Sequence, residues 1–239
     1  MEIDLDRQLN SHSISFNSSL DEQRESSQQC SRSELNTLDS NLEDRLKILI
    51  KAKAVRGEHS SAIALLDRLI ALCPDNAAYY NNRGLMYFRN NQIVEAFCDL
   101  SLALEINPNL DSAYNNRANC HAALGDFLEA IADYDLALDL NPANLRAWIG
   151  QGIAFRGLGI YDLALENFDI ASIVGDSLKS RIYQERGRTY HLQGDWNCAV
   201  ADYQRALKIL ADRRDLIGDR QKIRGWLDEL LHPLAITDC

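Results

Sequence analysis

The sequence predicts an all-α solenoid, a stack of similar helical hairpins rather than one closed globule. Three observations carry this. Pro74, Pro108 and Pro142 stand 34 residues apart, and one frame recurs around each. Compare AYYNNRGLMYFRNNQIVEAFCDLSLALEINP, ending at Pro108, with AYNNRANCHAALGDFLEAIADYDLALDLNP, ending at Pro142. Small and large residues then alternate at fixed places in the frame. A period of this length marks stacked supersecondary units, each covering its neighbour's apolar face.

Counting 34 positions with the proline at position 32 gives five repeats: 43–76, 77–110, 111–144, 145–179 and 180–213. Position 4 is large (Leu46, Tyr80, Tyr114, Trp148, Tyr183), and position 20 is always alanine (Ala62, Ala96, Ala130, Ala164, Ala199). Position 8 is small from the second repeat on (Gly84, Ala118, Gly152, Gly187), with Ile50 in the first. Position 24 is bulky (Leu66, Leu100, Tyr134, Phe168, Tyr203), and position 27 is alanine except for Leu69. Small residues let two helix backbones approach, and the bulky ones fill the space beside them. Gly57, Gly125, Gly159 and Gly194 occupy position 15, with Asn91 in repeat 2. These residues end the first helix in a left-handed conformation. Positions 7 and 23 change as pairs: Arg83 with Asp99, Arg117 with Asp133, Arg186 with Asp202, Gln151 with Asn167, and Leu49 with Leu65. Touching side chains should vary together in this way.

This frame resembles the tetratricopeptide repeat over residues 43–213. The resemblance implies two antiparallel helices per repeat, A then B, in a right-handed superhelix. It also implies a concave groove lined by A-helix positions 2, 5, 6, 9, 12 and 13. Such arrays hold other proteins, so the expected function is that of a scaffold, adaptor or assembly factor, not an enzyme. Alternatives are a permanent structural subunit, or an assembly factor for a photosystem or other membrane complex. The repeat texture looks bacterial, of cyanobacterial type.

Three features mark the expected groove. Asparagines cluster in its middle: Asn81, Asn82, Asn115, Asn116 and Asn119. Asparagine is a poor interior helix residue, but its amide both donates and accepts, so a row of them can grip an extended peptide backbone. The arrangement is similar to the asparagine ladder of glycosyltransferase tetratricopeptide superhelices. Groove charge also opposes chain charge. Lys47, Lys51, Arg89, Arg146, Arg156, Arg181 and Arg188 outnumber Asp44 and Glu185, on a chain of net charge −10. A locally positive concave wall would draw acidic segments. Finally, Gly150 and Gly157 exceed the needs of the frame and predict open space beside Arg146 and Arg156 for a bulky partner side chain. The five-residue carboxylate clamp of co-chaperone domains is matched by no window of three repeats; repeats 1–3 offer only Lys47, Lys51 and Asn82.

The remaining composition narrows the function. An acidic balance argues against a general nucleic-acid binder. No apolar run is long enough to span a membrane. No nucleophile stands at a spacing that supplies a base. No cofactor or metal is expected. His59 and His121 replace packed residues, and Cys30, Cys73, Cys98, Cys120, Cys198 and Cys239 form no C-x-x-C pair. Cys98, Cys120 and Cys198 are expected at apolar or half-buried places. Free thiols suit a reducing compartment, so a cytoplasmic location, or one peripheral to a membrane complex, is expected.

The ends differ from the repeats. Residues 1–40 hold ten serines, four glutamines and a net charge of −5, a disordered acidic tail by composition. Such a tail could occupy a basic groove until displaced. Ser40 and Glu43 have capping-box spacing, starting the first helix near residue 41. Within 214–239, Ile223, Trp226, Leu227, Leu230 and Leu231 predict an amphipathic helix that caps repeat 5.

Overall fold

A computed structural model describes residues 41–211 and 216–231. Every element among them is helical. They are α1 (41–55), α2 (His59–Leu72), α3 (Ala77–Arg89), α4 (Ile93–Ile106), α5 (Asp111–Leu124), α6 (Phe127–Leu140), α7 (Leu145–Gly157), α8 (Tyr161–Val174), α9 (Lys179–Gln193), α10 (Trp196–Ile209) and α11 (Ile217–Leu231). The chain divides into two compact bodies between Pro74 and Asp75. The acidic tail, Ser40 with its capping box, Cys30, Cys239 and the end of repeat 5 at 212–213 lie outside the described residues.

In the N-terminal body, α1 and α2 carry the buried residues Leu46, Ala62, Ile63, Leu66 and Leu69. Leu49, expected to pair with Leu65, is instead 49% exposed.

In the C-terminal body, α3 packs on α4, α5 on α6, α7 on α8 and α9 on α10, and each B helix then meets the next A helix. Successive A helices also touch: α3 with α5, α5 with α7, α7 with α9. They form one continuous wall. The hairpins close tightly where the frame is small. A Cβ on Gly84 would stand 2.8 Å from Leu100 Cγ and 3.1 Å from the Ala96 carbonyl oxygen. The A–B turns are left-handed where expected, with φ of 61° at Asn91 and 74–91° at the four position-15 glycines. Repeat 4 replaces the frame proline with Asp176 and is one residue longer, which suggests a looser joint. Yet α8 meets α9 as α4 meets α5.

Three of the position 7–23 pairs form as expected. Arg83 meets Asp99, Arg117 meets Asp133 and Arg186 meets Asp202, each with Nε donating at 2.7 Å and a second bond from Nη2. Each guanidinium also lies over the position-4 tyrosine, 5.5–5.6 Å from the ring centre. The bond to Asp133 raises the pKa of Arg117 above its ordinary value. The fourth pair does not form. Gln151 donates to Asp135 at 2.6 Å, and Asn167 donates to the Leu163 carbonyl of its own helix. An amide lacks the charge that holds an arginine to its partner, so each finds a nearer acceptor.

The last helix caps the stack. Ile223 is fully buried in a cluster with Ala199, Tyr203, Ala206 and Leu210. Trp226 stacks on Tyr203 at 5.7 Å. His191 sits at this joint. Its Nδ1 faces Arg188 Nη1 at 3.2 Å and the Tyr203 hydroxyl at 3.4 Å, so the neutral ring accepts. Burial first, then the Arg188 charge, lowers its pKa, while Glu229 opposes them. The unfolded imidazole therefore takes up its proton first as pH falls through 6.5, and stability present above that value is lost on acidification. Lowering the pH from 7 to 5.5 should loosen α11. Trp226 fluorescence in a Trp148→Phe/Trp196→Phe chain would report this, and His191→Gln should remove most of the response.

Candidate functional site

The asparagine cluster sits on the A-helix wall, but only part of it faces outward. Asn81 and Asn115 are buried, at 7% and 4% exposure. Position 5, which holds both, is a packing position: Ile149 and Gln184 are buried there too. The amides join into a chain across α3 and α5. Asn115 Nδ2 donates to Asn116 Oδ1 at 3.3 Å, and Asn116 Nδ2 to Asn81 Oδ1 at 2.9 Å. Asn81 Nδ2 reaches Ser112 Oγ at 3.4 Å. Asn115 Oδ1 is buried with no hydrogen-bond partner. Asn82 is exposed, and Asn116 and Asn119 are half-buried.

Tyr134 and Asn119 form a separate pair on the same wall. The tyrosine hydroxyl donates to Asn119 Oδ1 at 2.8 Å. Burial raises its pKa well above the usual range, opposed by the charge of Arg181. The repeat frame assigns Tyr134 only a packing role. Its place in the site shows in a departure: position 24 is leucine or phenylalanine in repeats 1, 2 and 4.

The tyrosine also explains Gly150. A Cβ there would fall 2.4 Å from Tyr134 Cζ and 2.5 Å from its oxygen. At Gly157 a Cβ would fall 2.6 Å from Phe127 Cζ. The expected open space is therefore already filled by this chain's own aromatic rings.

The cations divide sharply. Arg156 is engaged internally: Nη2 donates to Glu185 Oε2 at 2.8 Å and Nη1 to the Glu185 carbonyl at 2.9 Å. Both side chains are largely buried, so Arg156 and Glu185 tie α7 to α9 and cancel each other's charge. Arg188 is 5.1 Å from the Trp226 ring centre and 3.7 Å from Glu229, and serves the cap. Neither is available as the groove selector that the sequence suggests. Lys47 meets Glu43 at 2.7 Å and Asp44 at 3.7 Å in the N-terminal body, where Lys51 is exposed. Arg89, Arg146 and Arg181 are exposed and have no partner among the described residues. Arg146 and Arg181 occupy position 2 of successive repeats, on α7 and α9.

Among the described residues, no three His, Cys, Asp or Glu side chains gather to hold a metal ion. His121 packs edge-on against Phe97 at 5.1 Å. Cys120 is buried, and that burial pushes its thiol up to about 12. Cys98 and Cys198 are exposed, not half-buried as expected. No helix among the described residues is long and apolar enough to cross a membrane.

Comparison with known proteins agrees with this geometry. Two family models match, one described as tetratricopeptide repeat over residues 112–144 and one as TPR repeat over 52–91. A search of curated proteins finds no match. Solved bacterial structures are similar. A thermophilic TPR protein of Thermus thermophilus aligns with a TM-score of 0.69 at 16% identity, over 77% of this chain and 99% of that one. MamA from Desulfovibrio magneticus RS-1 aligns at 0.59 and 14% identity, over 72% and 97%. YrrB, described as a TPR protein with an unusual peptide-binding site, aligns at 0.52 and 19% identity, over 72% and 88%. The chain thus carries tetratricopeptide repeats at the matched residues, and its fold is an all-α tetratricopeptide solenoid with a capping helix.

Proposed function

We propose that the chain is a protein-binding scaffold whose A-helix wall holds an extended, acidic segment of a partner. The amides of Asn82, Asn116 and Asn119 bond the partner's backbone, while Arg146 and Arg181 select its carboxylates. Arg89 extends the positive surface along α3. The observation that carries this reading is the contrast among the arginines. Those at position 7 and at Arg156 have carboxylate partners within the chain, whereas Arg146 and Arg181 stand exposed on neighbouring helices. Arg181 is near enough for its charge to act on the Tyr134 hydroxyl, which bonds Asn119, so backbone grip and charge selection share one wall. The peptide site described for YrrB offers a precedent within the same fold.

Selection from a displayed library of disordered peptides on the full chain tests this. The enriched peptides should be acidic. Arg146→Glu/Arg181→Glu should weaken them about tenfold or more, and added salt should weaken them further. Enrichment of neutral or basic peptides, or affinity unchanged in the double variant, contradicts the proposal.

A further inference from the structure

We infer that the edge built from the A–B turns of repeats 2–5 is a second docking surface. It takes a basic amphipathic segment of another protein and seats one of its apolar side chains in the notch that Phe97, His121 and Leu124 line. This surface lies apart from the wall carrying Arg146 and Arg181, and the inference does not rest on that reading.

The edge is continuous through its own contacts. Repeats 2 and 3 meet around a cavity of about 300 Å³ lined by Ile93, Val94, Phe97, His121, Leu124 and Asp126. At the next joint the Phe127 ring abuts Gly157. At the last, Gln193 Nε2 donates to Asp162 Oδ1 at 3.0 Å. Neighbouring turns therefore stand side by side.

The cavity has a local cause. Position 11 holds Tyr87, Phe155 and Tyr190 in the other repeats of this body, but the smaller His121 here. Position 17 is Phe127, Tyr161 and Trp196 in repeats 3–5, but Ile93 at this joint. Two reductions in side-chain size leave the notch that the Phe127 ring fills at the next joint.

The surface around it is apolar and anionic together. Val94 is 73% exposed, Leu128 69%, Trp196 64% and Leu124 60%. Leu158, Ile160, Leu163 and Leu192 continue the row. Contiguous exposed apolar surface of this kind marks interaction sites. The carboxylates Asp126, Glu129, Asp162 and Asp195 are exposed between these residues. Asp162 accepts from an amide and Asp195 from the Cys198 backbone N–H. Neither bond supplies a compensating cation. A partner must then bring apolar side chains to cover the row and cations to meet the carboxylates, the pattern of a basic amphipathic helix.

Cys98 also lines the cavity and is exposed, so its alkylation rate reports occupancy. The probe is a helix-forming peptide with leucine on one face and lysine on the other, added to the full chain. At saturation it should slow Cys98 alkylation about tenfold. Replacing its lysines by glutamate, or its leucines by serine, should abolish protection. Leu124→Arg/Asp126→Arg should also abolish it, whereas Arg146→Glu/Arg181→Glu should leave it intact. Absence of protection, equal protection by the glutamate or serine peptide, or binding to phosphatidylcholine vesicles in place of the peptide would overturn the inference.

Discussion

Replacing Arg117 by methionine should destabilise the C-terminal body by about 3–5 kcal/mol, because it strands a buried carboxylate. Asp133 is only 7% exposed by side chain, and Arg117 supplies two hydrogen bonds to it. The arginine also covers the Tyr114 ring, so methionine forfeits that contact as well. Most of the cost comes from the unpaired charge rather than from the bond itself. The double substitution Arg117→Met/Asp133→Leu should therefore recover most of the loss, since an apolar pair needs no compensation. Urea unfolding of the two single variants and the double variant measures the coupling. A single variant as stable as the parent would show that the pair is solvated in solution.

Gly150→Ala pits two effects against each other. Helix propensity alone favours alanine by about 1 kcal/mol. Overpacking costs about 1–3 kcal/mol when neighbours must shift. Here the new Cβ meets the Tyr134 ring, which is 1% exposed and backed by Ala118, Ala137, Ala147 and Ala154. The ring has no room to retreat, so sterics win and the variant is less stable. With Tyr134 already replaced by leucine the obstruction is gone, and the same substitution should become stabilising. This reversal of sign distinguishes a steric origin from a general intolerance of change in α7. Displacing Tyr134 also breaks its bond to Asn119, so Gly150→Ala should weaken partner binding more than its stability loss implies.

These two sites show how far the sequence can be read. The Arg117–Asp133 pair is legible because both members change together from repeat to repeat. The left-handed residue at position 15 is legible because almost only glycine and asparagine tolerate it. Gly150 misleads because a glycine names no neighbour; its cause lies on another helix, in the tyrosine that repeat 3 places at position 24. Arg156 and Glu185 both fall in the expected groove, where their charges count separately. Their pairing crosses from one repeat to the next, which a frame that compares equivalent positions does not display. Asn81 and Asn115 fall in the expected groove only if position 5 is free of packing demands. The isoleucine at 149, in the same frame position, carries the contrary signal.

The central claim is that the wall of A helices grips a guest by amides and selects it by Arg146 and Arg181. Side-chain NMR during titration with a selected acidic peptide tests it most directly. Resonances of the Asn82, Asn116 and Asn119 amides and of the Arg146 and Arg181 guanidinium groups should shift together and saturate at one concentration. Shifts confined to the A–B turn edge or to α11, with those five side chains unmoved, would contradict it.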